Sequence, residues 1–307
     1  MLYLYSPDQQ DHYLRLLKDA LPDWTIACWP DDVDTQAVTH IAAWMPPAGF
    51  FARFTNVEVV FVMGAGVDKF LHRDDLCARV SLVRLTDAGM AQQMTEYCLY
   101  GVLHYQRQMD VYLRQQRASQ WRTQPARLAK DVRVAVLGLG QLGMQVAQNL
   151  AKMGYRVAGW SRQPRQLDGV DCVHGDAGLR SLLPETDVLF CVLPATPETR
   201  HLLDGERLGW LPKDSAIINA GRGSLIDQDA LLAHLERGQL RFVLLDVFAE
   251  EPLGESHPLW QHPRVMITPH VAADTVAEEA VTQIAAKLRV FAKGLPVTGL
   301  VDRRRGY

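Results

Sequence analysis

Short apolar runs alternate with longer amphipathic stretches along most of the chain, the pattern of a parallel sheet flanked by helices. In the N-terminal part, Leu2–Tyr5, Thr25–Trp29, His40–Trp44, Val59–Met63 and Ser81–Leu85 predict strands, with a helix over Asp11–Ala20. A second series is predicted at Val132–Leu137, Arg156–Trp160, Val188–Leu193, Ala216–Asn219, Val243–Val247 and Val265–Thr268. Between the series, Gln92–Arg117 reads as one long helix. Its first half is apolar at Met94, Tyr97, Cys98, Val102 and Leu103, and its second half is polar. A last helix is predicted over Thr275–Lys293, followed by a polar tail too short to be a domain. The tail is expected to pack back on the first unit, which makes the second unit an insertion within it.

Composition narrows the partners. At 307 residues the chain is long enough for two domains. A net charge of -3 gives no electrostatic reason to expect nucleic acid or an anionic membrane, and Arg303, Arg304 and Arg305 read as a solvated end. No apolar run approaches the roughly 20 residues of a membrane-spanning helix, and Met1–Asp8 reads as a first strand rather than a signal peptide. The five cysteines (Cys28, Cys77, Cys98, Cys172, Cys191) form no C-x-x-C pair and read as reduced thiols, which suits the cytoplasm. The histidines are dispersed, and His257 and His262 lack a cluster of ligands, so no metal site is expected.

The strand at Val132–Leu137 runs straight into Gly138-Leu139-Gly140-Gln141-Leu142-Gly143, and the helical stretch Met144–Met153 follows. A bare G-x-G-x-x-G is weak evidence, but between a strand and a helix it predicts a dinucleotide-binding loop. Gly138 makes the tight turn, Gly140 lets the backbone approach the pyrophosphate, and Gly143 lets helix and strand pack closely. The phosphates then face the free N–H groups of the helix. NAD-binding chains usually carry Asp or Glu about 20 residues on, to hold the ribose 2′-hydroxyl. Here Gly159-Trp160-Ser161-Arg162-Gln163-Pro164-Arg165 has no carboxylate. Ser161, Arg162 and Arg165 therefore predict recognition of a 2′-phosphate, and NADP(H) as the cofactor.

Three later segments bring polar residues to strand ends, where open α/β sheets bind ligands. They are Asn219-Ala220-Gly221-Arg222-Gly223, Leu245-Asp246-Val247-Phe248-Ala249-Glu250-Glu251-Pro252-Leu253 and Thr268-Pro269-His270. Taken singly, the Arg is as well explained by a surface ion pair, the Glu by a loop and the His by a structural imidazole. In this order behind a dinucleotide loop, they make the chain resemble the D-isomer-specific 2-hydroxyacid dehydrogenase family. Met63-Gly64-Ala65-Gly66-Val67-Asp68, Trp44-Met45-Pro46-Pro47 and the ending Val301–Tyr307 are similar to its bacterial glyoxylate/hydroxypyruvate reductase branch, whose members prefer NADPH.

The resemblance implies an α/β fold with two doubly wound parallel-sheet domains. A Rossmann dinucleotide-binding domain over 96–275 would be inserted in a flavodoxin-like substrate domain formed by 1–95 and 276–307. It implies NADPH-dependent reduction of glyoxylate or hydroxypyruvate, small 2-keto acids, to glycolate or glycerate. His270 would be the general acid, because imidazole ordinarily titrates near working pH. Glu251, which directly precedes Pro252 as Glu250 does not, would accept a hydrogen bond from the other ring nitrogen and favour the imidazolium. Arg222, always charged, would orient the keto acid and polarise its carbonyl. Backbone N–H groups of Ala65 and Gly66 would hold the substrate carboxylate, with Trp44 as a pocket wall. Gln141, Leu142, Leu193, Pro194 and Ala220 would contact the cofactor. Asp246 would meet the nicotinamide carboxamide or, equally, serve as a structural cap. A homodimer through the cofactor domain is implied. The rivals are a reductase of bulkier 2-keto acids on the same fold, and a nucleotide-sensing scaffold of the corepressor type.

Overall fold

The apolar runs fold as strands in the computed structural model, which describes residues 1–307. The chain divides into two units, one made of Met1–Met90 with Thr275–Tyr307 and the other of Ala91–Asp274. The first holds β1 (Leu2–Tyr5), α1 (Gln10–Ala20), β2 (Ile26–Cys28), β3 (His40–Ala43), β4 (Val59–Val62), α2 (Asp68–Leu71) and β5 (Ser81–Arg84). All its strands are parallel, in the flavodoxin-like order β2-β1-β3-β4-β5. β3 and β4 are buried along their whole length, as central strands of a parallel sheet are. The C-terminal segment returns to this unit. Its helix, Ala277–Phe291, lies along α1, where His12 and Glu278 pair at 3.1 Å, and Val301 N–H donates to the Leu82 carbonyl at 2.9 Å.

The second unit contains α3 (Met90–Gln106, starting at the boundary), α4 (Met109–Arg117), β6 (Arg133–Leu137), α5 (Gln141–Lys152), β7 (Arg156–Ser161) and β8 (Asp171–His174). It continues with α6 (Gly175–Leu182), β9 (Val188–Cys191), α7 (Gly205–Gly209), β10 (Ser215–Asn219), α8 (Gln228–Glu236), β11 (Leu240–Leu245) and β12 (Val265–Ile267). Its parallel strands run in the order β12-β11-β10-β9-β6-β7-β8, so the strand order reverses between β6 and β9. In open sheets, ligands bind beyond the carboxyl ends of the strands at such a point.

Alternate residues on four neighbouring strands divide between two cores, because successive side chains point to opposite faces. Val134, Val136, Phe190, Ile218 and Leu244 meet Met94, Cys98 and Val102 of α3 and Val146 and Leu150 of α5. Ala135, Leu137, Leu189, Ile217 and Val243 meet Leu179 of α6, Leu208 of α7 and Leu231 of α8.

Two elements differ from expectation. The single helix predicted over Gln92–Arg117 is broken at Gln108, which takes a left-handed φ of 57°. Past the break, Asp110 is buried against Arg241, whose Nε and Nη2 donate to its two carboxylate oxygens at 3.0 and 2.5 Å. The polar second half therefore serves that pair rather than extending an apolar face. The other is β8, which pairs with β7 but presents only Cys172 and Val173 to the cores, too little to make an apolar run.

One buried histidine makes the first unit acid-sensitive. His40 lies edge-on between Trp24 and Phe291, its Nδ1 meets Thr39 Oγ1 at 2.8 Å, and its Nε2 is buried without a partner. Burial, aided by the N-terminal charge, pushes its pKa down to about 4. The unfolded chain protonates His40 near its ordinary value while the folded chain resists. Its contribution, up to about 3 kcal/mol, is therefore complete above the ordinary value and lost as pH falls toward the folded one. The melting temperature should fall between about pH 6.5 and pH 4. His40→Gln should flatten that fall in a thermal-denaturation series, and an unchanged slope would dismiss the histidine as its source.

Candidate active site

The glycine loop is built by three different demands. Gly138 takes φ 112°, a conformation an L side chain rarely adopts, and its N–H donates to the Trp160 carbonyl at 2.9 Å. At Gly143 a Cβ would lie 1.8 Å from the Gly138 carbonyl oxygen, so α5 touches the turn directly. Gly140 caps α5, and a Cβ there meets nothing within 4 Å. Open space thus flanks Gly140 at the start of the helix, whose first N–H groups, at Gln141, Leu142 and Gly143, have no intrahelical acceptors.

In register with Leu137, Trp160 brings the end of β7 beside this loop. Ser161 Oγ donates to the Gln163 carbonyl at 2.7 Å, Arg165 is exposed, and Arg162 Nη1 lies 3.9 Å from Glu198 Oε2. Leu193 and Pro194 follow β9. The Leu193 side chain lies against Gly138, and Ala220 N–H donates to the Cys191 carbonyl at 3.1 Å. Open backbone, a helix N-terminus and two guanidinium groups fit a dinucleotide with an extra phosphate.

Beyond β10 the buried Asn219 closes a tight turn. Its Oδ1 accepts from Gly221 N–H at 3.2 Å, and its Nδ2 donates to the Arg222 carbonyl at 3.1 Å. A Cβ on Gly221 would meet the Leu193 oxygen at 2.8 Å. On Gly223 it would meet the Phe248 carbonyl carbon at 1.8 Å and Ala249 N at 2.3 Å. Both neighbours of Arg222 must therefore lack a side chain, and the second contact pins the Arg222 turn to the loop after β11. In that loop Phe248 N–H donates to Glu251 Oε1 at 3.0 Å, while Glu251 Oε2 meets His270 Nδ1 at 2.9 Å. A carboxylate accepts only, so Nδ1 carries the hydrogen and Nε2 is the ring nitrogen left to face a ligand. His270 is half exposed and Glu251 about a quarter, at 50% and 27%.

Asp246, 1% exposed at the end of β11, organises the segment that carries His270. Its Oδ1 accepts from Thr268 Oγ1 at 2.6 Å and Val271 N–H at 2.8 Å, its Oδ2 from Ala272 N–H at 2.9 Å, and its backbone carbonyl from His270 N–H at 2.9 Å. His270 takes a left-handed φ of 59°, which costs a non-glycine residue about 1–3 kcal/mol unless its surroundings hold it. Thr268 Oγ1 lies 2.6 Å from the Tyr97 hydroxyl on α3, and burial pushes the Tyr97 pKa well up, so that hydroxyl keeps its proton. Sequence reasoning took Tyr97 for an apolar helix position and Thr268 for part of a motif. No spacing rule joins two hydroxyls 171 residues apart.

In the first unit the Trp44 ring covers the turn after β4. A Cβ on Gly64 would sit 2.5 Å from Trp44 Cζ3, so that turn can be only glycine beneath the indole. Ala65 and Gly66, both half-buried, continue the turn into α2.

With this geometry in hand, the chain matches the family model of the D-isomer specific 2-hydroxyacid dehydrogenase NAD binding domain over residues 99–272. It is 40% identical over 300 residues to the glyoxylate/hydroxypyruvate reductase A of Yersinia enterocolitica, covering 96% of each chain. Among solved structures it is similar to a D-isomer specific 2-hydroxyacid dehydrogenase from Xanthobacter autotrophicus Py2 in complex with NADPH and MES. That TM-score is 0.95, at 40% identity, over 100% of this chain and 99% of the other. It is also similar to the NADPH-dependent glyoxylate/hydroxypyruvate reductase of Sinorhizobium meliloti in complex with NADP and sulfate, with a TM-score of 0.91, 32% identity and coverage of 100% and 99%.

The contact between Gly223 and Phe248 yields a direct test. Gly223→Ala should destabilise the fold by about 2 kcal/mol or more, as overpacking does. It should also lower kcat/KM by about 100-fold through displacement of Arg222. Calorimetry and steady-state kinetics read the two effects, and wild-type values for both would contradict the packing described.

Proposed function

The chain belongs to the D-isomer specific 2-hydroxyacid dehydrogenase family, and on that premise we propose that it reduces glyoxylate or hydroxypyruvate to the 2-hydroxy acid with NADPH. The observation that carries the reading is the Glu251–His270 hydrogen bond in a loop that Gly223 presses against the Arg222 turn. The first unit, built on β1–β5, is the substrate unit, and the second is the dinucleotide-binding unit.

Bound NADPH supplies the hydride that reaches the keto carbon. Negative charge then grows on the carbonyl oxygen, and His270 Nε2 delivers a proton to it, leaving a neutral imidazole to be reprotonated from solvent. Glu251 holds the ring by Nδ1 and balances the imidazolium before transfer. Arg222 supplies a permanent positive charge and a planar fork for the keto acid. Backbone N–H groups of Ala65 and Gly66 hold the substrate carboxylate, beside Trp44. Gly138, Gly140 and Gly143, with the N–H groups of Gln141 and Leu142, seat the pyrophosphate, while Ser161, Arg162 and Arg165 meet the 2′-phosphate. Leu193, Pro194 and Ala220 line the nucleotide.

A panel of glyoxylate, hydroxypyruvate and a branched 2-keto acid, each with NADPH and NADH, tests the reading. Turnover is expected with the two small acids and favoured by NADPH. His270→Ala should lower kcat by about 100-fold or more. A protein that binds NADPH yet reduces none of the acids is a scaffold, and a preference for the branched acid points to a different reductase.

We also infer a homodimer formed by the second unit. Tyr100 and Leu103 on α3, Met109 and Leu113 on α4, and the fully exposed Trp121 place large apolar side chains in solvent. Light scattering should return twice the chain mass, and a monomer at micromolar concentration would end that inference. None of the five cysteines is bonded to another, and no helix is long and apolar enough to cross a membrane. The free thiols support a cytoplasmic enzyme.

A further inference from the structure

His270, the proposed general acid, stands on a turn in an unfavourable, left-handed conformation. What keeps the turn in place lies behind it. Four hydrogen bonds join Asp246 to the segment 268–272: the carbonyl takes the His270 N–H, and the carboxylate takes Val271 N–H, Ala272 N–H and the Thr268 hydroxyl. A carboxylate buried to this degree must be met by donors all round, since an unmet lone pair there has no water to turn to. Thr268 is the one side-chain donor among them.

The direction of the outer link follows. Thr268 gives its only proton to Asp246, so at its 2.6 Å contact with Tyr97 it accepts, and the tyrosine hydroxyl donates. The chain Tyr97 Oη–H, Thr268 Oγ–H, Asp246 carboxylate is thus polarised in one sense from α3 to the His270 turn. Each donor draws electron density from the group it meets and strengthens the bond beyond. Tyr97 sits on a helix anchored in the core through Met94, Cys98 and Val102, so the far end of the chain is fixed.

We infer that Tyr97 and Thr268 are positioning residues for the general acid, their hydroxyl chain holding the Asp246 carboxylate where it grips the turn that presents His270. The inference rests on the reading of His270 as general acid. It differs from a generic structural role in one respect: turnover should suffer while ground-state binding does not, because neither the Tyr97 nor the Thr268 hydroxyl is assigned to either reactant.

Thr268→Val keeps the shape and removes the hydroxyl, Thr268→Ser restores a hydroxyl, and Tyr97→Phe removes only the outer donor. With the full-length protein, glyoxylate and NADPH, Thr268→Val should lower kcat by about tenfold or more. KM for glyoxylate and the NADPH dissociation constant from fluorescence should stay within about twofold. Thr268→Ser should recover kcat to within about threefold of wild type, and Tyr97→Phe should lower it by about three- to tenfold. Should Thr268→Val fail to fold by circular dichroism, Tyr97→Phe decides, since it leaves a half-buried ring of the same shape. The inference is overturned if kcat is unchanged in Thr268→Val or Tyr97→Phe, if KM and kcat move together, or if serine does not rescue. His270→Ala run alongside separates the two levels: retained turnover there removes the general acid itself, whereas its loss beside an unaffected Thr268→Val removes only the positioning chain.

Discussion

Main chain packed against main chain governs the larger unit. At Gly223 the turn after β10 meets the loop after β11 with no room for a single carbon, and at Gly221 the same turn meets the backbone of Leu193 beyond β9. Because all the strands are parallel, their carboxyl ends share one edge of the sheet, and these contacts tie three successive loops of that edge into one piece. A long, flexible arginine gains from this. Rotamer freedom makes Arg a poor positional element on its own, but a turn braced on both sides by glycine contacts leaves only its side-chain torsions to be ordered. Precision in the site thus comes from the residues that have no side chain.

A second constraint acts through a charge. The left-handed backbone at His270 costs about 1–3 kcal/mol, and hydrogen bonds to a charged group are worth about 1.5–3 kcal/mol each. Two amide N–H groups and one hydroxyl on the Asp246 carboxylate outweigh the strain with margin. The same arithmetic explains why an acidic residue can be buried at 1% exposure with no cationic partner: the turn supplies its solvation, and it supplies the turn's stability. Neither would persist alone.

The sheet strands were legible because burial on both faces demands uninterrupted apolar residues, as in Val59–Val62 and Val188–Cys191. The glycine loop was legible because each of its glycines answers to a steric demand at fixed spacing. β8 was not, since an edge strand with two half-buried side chains carries no periodic signal. The break at Gln108 was hidden for another reason: helical propensity runs smoothly through it, and only the distant Arg241 calls for Asp110 on a new axis. Of the candidate site, the residue types were readable and their supports were not. Asp246 announces itself as a strand-end acid, but the four bonds that define its surroundings come from a segment some twenty residues later, and Tyr97 from another helix altogether.

Glu198 stands beside Arg162, which the proposed reading assigns to the 2′-phosphate. Its carboxylate lies 3.9 Å from Arg162, and at first sight an acidic neighbour undoes the case for an anionic cofactor. Geometry and exposure argue otherwise. At that separation there is no short charge-assisted hydrogen bond, and both side chains stand in solvent, 43% and 61% exposed, where water and salt screen such pairs. A phosphate brings close to two charges and three acceptor oxygens, and a guanidinium can meet it through two parallel N–H bonds. On that reading, a bidentate phosphate contact at Arg162 outweighs the screened contact with Glu198.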